Sequence, residues 1–145
     1  MKGSIFVDTN VLVYSRDASK LAKQTRAAEW ISHLWKNGTG RLSVQVLAEF
    51  YAVVTGKLKP GMETASAREE VQDFLAWQPF PITADLIAEA WLVQDRFQLS
   101  WWDSLIVSAA KTLQCAYLLS EDFQESQDFH GIRVINPFRL RPDEV

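Results

Sequence analysis

Four carboxylates stand where a merely solvated acid would be out of place. Asp8 directly follows Ile5-Phe6-Val7, a short continuous apolar run of the kind a strand covered on both faces gives. It therefore falls at the carboxyl end of a buried strand, the edge at which open α/β sheets place their ligands. Asp122 follows the strand-like Tyr117-Leu118-Leu119 through Ser120-Glu121, so in a parallel sheet both acids emerge at one edge. Glu49 is the only charged residue between Val44 and Val54, in a stretch that reads as a helix apolar nearly all round and hence buried. A buried carboxylate is costly unless it is paired, protonated or bound to a metal. Asp103 holds the third position of a helix opened by Ser100, among Trp101, Trp102, Leu105, Ile106 and Val107. That bulk puts the helix start against the core.

Each acid also has a plainer explanation. Asp8 can be a turn aspartate helped by Thr9 and Asn10. Glu49 can pair with an arginine. Asp103 can simply cap its helix and complement the dipole, and Asp122 can be a loop residue. Taken together the four are more coherent than those separate accounts. Gathered carboxylates repel and raise one another's pKa, a strain that a hard divalent cation relieves. Magnesium and manganese favour such oxygen ligands, and acids holding one or two of these ions carry out phosphodiester hydrolysis. A metal-dependent phosphatase of the aspartyl-phosphate kind also starts from an acid after the first strand, but its second aspartate two positions on is here Asn10. An inactive relative that binds RNA or a partner is the non-enzymatic alternative.

These acids need elements to position them. The pattern predicts a helix over residues 20–36, with Ala27, Ile31, Leu34 and Trp35 at helical spacing and Asn37-Gly38 as a stop. A short strand or extended lead-in over 41–43 precedes an apolar helix over 44–55, ended by Gly56 and Pro60-Gly61. A third helix covers 64–77, with Ala67, Val71, Phe74 and Leu75 inward. Thr83 caps a helix to about residue 97, with Leu86, Ile87, Ala90 and Trp91 as its buried stripe, and Ser100 caps another to about residue 113. Further strands fall at 116–119 and 132–135, and the tail from Arg139 reads as polar and loose. Strands separated by helices imply an α/β fold, a central mostly parallel sheet with helices on both faces.

The chain of 145 residues suits a single domain, with no repeat or interdomain linker. Apolar residues at 48% and charged residues at 23% exclude a disordered or fibrous chain. Cys115 alone cannot form an internal disulfide, and with only His33 and His130 a Cys/His zinc cluster is excluded. Cys115 reads as core and His130 as an ordinary loop residue. No apolar run approaches a membrane span, and the opening residues do not make a signal peptide, so a cytoplasmic setting is expected. The net charge of −3 argues against simple coating of nucleic acid. If four of the 18 acids serve a metal, however, the 15 basic residues are in slight excess over the remainder. Arg16, Lys20, Lys23 and Arg26 recur at helical spacing and could meet phosphates, or could be a solvated helix face.

The residues carry a resemblance as well. Ile5-Phe6-Val7-Asp8-Thr9-Asn10-Val11-Leu12 resembles the opening of PIN-domain ribonucleases. Glu49 within Ser43 to Phe50, then Trp102-Asp103-Ser104-Leu105-Ile106, Leu119-Ser120-Glu121-Asp122-Phe123 and Val134-Ile135-Asn136-Pro137-Phe138 follow in that family's order. The likeness spans nearly the whole chain and is close to the VapC-type toxins of bacterial toxin–antitoxin pairs. It implies one PIN-like nuclease domain over residues 1–145, a three-layer sandwich. Asp8, Glu49, Asp103 and Asp122 would form an acidic quartet holding Mg2+ or Mn2+, with Asp8 and Asp103 as direct ligands. Thr9, Asn10 and Ser120 would support the metal and the scissile phosphate; apart from the resemblance, Lys20 and Lys23 of the basic stripe are the candidate substrate contacts. The implied activity is endonucleolytic RNA cleavage by metal-activated water. The implied partners are an RNA substrate, a cognate antitoxin and a second copy of the chain. One departure from the family's pattern is the acidic segment between Asp122 and Val134, which has a single glycine.

Overall fold

The computed structural model describes residues 3–145. Strand β1 (Ile5–Val7) runs into helix α1 (Thr9–Tyr14), then helix α2 (Leu21–Asn37), strand β2 (Gly40–Arg41) and helix α3 (Val44–Gly56). Helices α4 (Thr64–Phe74), α5 (Ala84–Phe97) and α6 (Trp101–Thr112) follow, and strands β3 (Tyr117–Leu119), β4 (Asp128–Phe129) and β5 (Ile132–Ile135) close the chain. The sheet order is β2-β1-β3-β5-β4. It is parallel throughout except for the β4–β5 hairpin at one edge. In register, Ile5, Phe6 and Val7 lie beside Tyr117, Leu118 and Leu119. This is the expected α/β sandwich.

The first and last thirds of the chain meet at β1 and β3, the middle of the sheet. Ile5, Phe6, Val7, Leu118 and Leu119 are all buried, so both faces of the sheet are covered. Burial of each such side chain contributes roughly 1.5–3 kcal/mol. Their carboxyl ends therefore form a fixed edge. Ser43, Thr83 and Ser100 each cap a helix by accepting from a backbone N–H three residues on. Gly38 adopts a left-handed φ of 65° at the end of α2, which a glycine takes without a Cβ penalty.

Several expectations need correction. Helix α1, capped by Asp8, is an element the sequence pattern did not predict. Strand β4 arises within the acidic segment, which turns through His130 and Gly131 at positive φ. Leu75 and Trp91, expected inward, are exposed. A helical period fixes a direction but not the width of the buried stripe, and Ala67, Phe74, Leu86, Ala90 and Val93 already fill the inner faces. Trp35 is likewise partly open, stacked on Phe74 and Trp77. Helix α3 is not buried all round, since Val44 and Ala48 face outward and Glu49 is half-buried. Nor is the tail loose. Fully buried Trp30 donates its indole N–H toward the carbonyls of Pro137 (3.2 Å) and Leu140 (3.0 Å), and Pro142 is buried.

Candidate active site

Strand β1 delivers Asp8 to the sheet edge, and the Asp8 backbone N–H extends the ladder by donating to the Leu119 carbonyl at 3.0 Å. The side chain then does two things. Oδ1 accepts from the Thr9 N–H at 2.7 Å, which starts α1. Oδ2 accepts from the Ser120 hydroxyl at 2.7 Å and from the Asn10 amide at 3.2 Å. The turn reading and the site reading of Asp8 thus hold at once.

Asn10 ties the two strand ends together. Its amide nitrogen lies 3.1 Å from Ser120 Oγ and 3.2 Å from Asp122 Oδ2, while its carbonyl accepts from the Glu121 N–H at 3.2 Å. Ser120 Oγ also accepts from the Asp122 N–H at 3.1 Å. Residues about 110 positions apart are thereby held within hydrogen-bond reach. From α3, Glu49 enters by accepting from the Thr9 hydroxyl at 2.9 Å. From α6, Asp103 is oriented by its N–H, which donates to Ser100 Oγ at 3.1 Å.

The electrostatics follow from this geometry. Burial pushes the Asp8 carboxyl from 3.8 up to about 7, with Asp122 and Asp103 adding repulsion, while the Ser120 and Thr9 hydrogen bonds pull the other way. Burial also raises Asp103, opposed by Ser100 and reinforced by the charge of Asp122. Among the described residues no lysine or arginine forms an ion pair with Asp8, Glu49, Asp103 or Asp122. The salt-bridge explanation of Glu49 therefore has no counterpart.

All four acids line one open cleft of about 560 Å³, together with Thr9 and Asn10. Lys20 lies on its wall; Lys23 does not. Lys23 pairs with Glu121 and sits over the rings of Tyr14 and Phe138. The remaining basic positions of the stripe are similarly engaged, Arg16 with Glu70 and Arg26 with Glu29. Ser120 lies beneath the cleft, fully buried.

The sequence reading missed Gln45, Trp102, Asp17 and Lys57, all on the cleft wall. A signal for two of them was present. Gln45, Glu49, Val53 and Lys57 recur every fourth residue, and that spacing puts them along one face of α3. Asp17 is buried and accepts from the Ser19 N–H at 3.0 Å, which orders the turn into α2. A slightly larger cleft, about 620 Å³, lies between α2 and α4, away from the strand ends.

The donor set is all oxygen, which suits a hard cation. Among the described residues no three His, Cys, Asp or Glu side chains stand close enough to hold one ion between them. That arrangement fits magnesium, which keeps several waters and needs only one or two carboxylates. It does not fit a cage built wholly from protein.

A family model for the PIN domain matches residues 5–126. Among solved structures, VapBC2 from Rickettsia felis bound to a DNA fragment from their promoter aligns over 91% of this chain and 97% of that chain, with a TM-score of 0.62 and 18% identity. A toxin–antitoxin complex from Klebsiella pneumoniae aligns over 92% and 98%, at 0.59 and 15%. Mycobacterium tuberculosis VapC20, a sarcin-ricin loop cleaving toxin, aligns over 79% and 87%, at 0.57 and 20%. No curated protein matches the sequence. At these identities the structural likeness speaks for the fold.

Proposed function

The chain belongs to the PIN-domain family, and from that premise we propose that it is a metal-dependent endoribonuclease, the toxin of a type II toxin–antitoxin pair. One observation carries the reading. Asp8 is buried, carries no ion pair among the described residues, and shares its cleft with three further acids. A fold does not normally keep a buried carboxylate without a cationic partner beside three other acids for stability's sake.

In this reading Asp8 and Asp103 would hold the cation, with Glu49 and Asp122 completing the acidic quartet around it. When bound, a magnesium or manganese ion supplies water activation and neutralises charge that builds on the phosphate oxygens. The protein's own groups prepare that site. The Ser120 hydroxyl and the Thr9 N–H fix the two oxygens of Asp8. Asn10 keeps Asp122 beside them, and Thr9 Oγ1 orients Glu49. Burial raises the Asp8 carboxyl to about 7, and a carboxylate must be deprotonated to hold a cation, so binding of the ion would be favoured at higher pH. Lys20 stands on the cleft wall as a phosphate contact. Lys23 would serve RNA only by leaving Glu121. Hydrolysis adds water across one P–O bond and needs no further reactant.

The partners follow the same reading. The Rickettsia and Klebsiella structures are of toxin–antitoxin assemblies, which supports a cognate antitoxin for this chain. A second copy is a further expected partner, with RNA as substrate in the cytoplasm. Among the described residues no helix is long and apolar enough to cross a membrane. The phosphatase alternative loses ground because Asn10, at the position of the second aspartate, is an amide committed to four contacts.

The test is cleavage of labelled RNA by the purified protein with magnesium, with manganese and with EDTA. Cleavage should require the metal and vanish in Asp8→Asn and Asp103→Asn. Undiminished cleavage by a clean Asp8→Asn preparation, or by wild type in EDTA, would show the proposal to be wrong.

A further inference from the structure

Three exposed groups on the cleft wall take no part in the acidic cluster, and one of them is an indole. Trp102 is 59% exposed, although exposing so large an apolar surface to water is unfavourable. Among the described residues it has no aromatic partner, unlike Trp35 and Trp77, which pack on each other and on Phe74. Its backbone is nevertheless held in place. Gln45, buried on α3, donates its side-chain amide to the Trp102 carbonyl at 3.3 Å, and the next residue is Asp103. The other two groups are Lys20 and Lys57, both exposed and without an ion pair among the described residues. All three line the cleft of the four acids.

That arrangement suits one kind of ligand. The floor of the cleft is anionic and repels phosphate, so only the lysines and a cation can attract the backbone of a nucleic acid. The base is the uncharged part of a nucleotide, and its affinity comes from stacking on an aromatic face, which needs the base unpaired. We propose that Trp102 is a stacking platform for one unpaired base next to the scissile phosphate, with Lys20 and Lys57 holding the phosphates that flank that base. This rests on the nuclease reading and adds to it the residues that grip the nucleotide.

The experiment uses full-length protein in an Asp8→Asn background with magnesium, which stops cleavage while binding is followed by fluorescence anisotropy. The probe is a labelled single strand of about 12 nucleotides, within the ~4–16 that single-strand sites span, together with its duplex and a set carrying an abasic site at each position. Trp102→Ala should weaken single-strand binding about tenfold or more, while Trp102→Phe keeps most of it. Trp91→Ala, which alters an equally exposed indole outside the cleft, should change nothing. One abasic position should weaken binding to the Trp102-containing protein but not weaken Trp102→Ala further. Equal binding with and without the indole, equal losses at every abasic position, or preference for the duplex would overturn the proposal. Trp102→Ala measured in the Asp8-containing enzyme separates the two readings. Cleavage lost in Asp8→Asn but unaffected by Trp102→Ala removes the stacking platform alone. Cleavage persisting in Asp8→Asn removes the nuclease assignment, whatever the indole does.

Discussion

Removing the charge of Asp8 should make the metal-free protein more stable, not less. A rise from 3.8 to about 7, at ~1.4 kcal/mol for each tenfold in proton affinity, corresponds to ~4 kcal/mol. The sign follows from where the proton resides. Between about pH 4 and pH 7 the folded protein keeps a proton on Asp8 that the unfolded chain releases, so stability falls as pH rises through that window and levels off above it. Asp8→Asn removes this loss but disturbs the bonds from Ser120 and Asn10, a cost of ~1 kcal/mol. Asn still accepts from the Thr9 N–H and still caps α1. The net expectation at pH 8 in EDTA is a gain of ~3 kcal/mol, or roughly 6–12 °C in Tm for a chain of this size. At pH 4 the gain should disappear. Thermal unfolding of both proteins across pH 4–8 reads this directly. Saturating magnesium at pH 8 should then raise only the wild type, by mass action. A variant less stable than wild type at pH 8, or a difference that does not change with pH, would refute the inference that Asp8 is held as an uncompensated buried carboxylate.

Two further outcomes are expected. Lys20→Glu combined with Lys57→Glu should flatten the salt dependence of single-stranded RNA binding by a slope of about 1.4, since each neutralised single-strand phosphate contributes ~0.7. Lys23→Glu, whose native partner is Glu121, should leave that slope largely unchanged, and the reverse ranking in a salt titration would contradict the assignment of the cleft. Trp30→Phe takes the indole N–H from the Pro137 and Leu140 carbonyls, which keep only the Arg26 guanidinium, and leaves part of the buried indole's volume unfilled. It should cost about 1–3 kcal/mol in urea unfolding, and no measurable loss would mean that the tail does not depend on this anchor.

What could be read from the sequence and what could not differ for physical reasons. Strands β1 and β3 are continuous apolar runs and β5 is interrupted only by Arg133, so their burial and parallel order were legible, and with them the common edge of Asp8 and Asp122. Thr83 and Ser100 announced α5 and α6 through cap chemistry that is local by nature. Helix α1 was hidden because it is only six residues long and is started by the very aspartate that also reads as a turn. Strand β4 has two residues, too few for any period to register. Trp91 and Leu75 show where periodicity fails: an amphipathic helix has edges, and spacing does not say which edge residue water reaches. Glu49 was found for a partly mistaken reason, since α3 keeps an outer apolar face. Its isolation among apolar neighbours still pointed to a group whose partner lay elsewhere in the fold. Lys57 falls just past the predicted end of α3 and so went unnoticed, though its spacing from Glu49 and Gln45 carried the information. Asn10 was expected only as a supporting polar group, because its contacts depend on a register between strands that no local pattern encodes.

The bridge that Asn10 makes between the ends of β1 and β3 also has a meaning in time. The first strand leaves the ribosome more than a hundred residues before the strand that flanks it, and until Tyr117–Asp122 arrive the Asp8 carboxylate has neither Ser120 nor a low-dielectric wall around it. A nascent chain carries the residues of a nuclease without the environment that makes them one. Synthesis can therefore proceed with the acidic cleft unassembled, and its floor forms only once β3 takes its place beside β1 in the sheet.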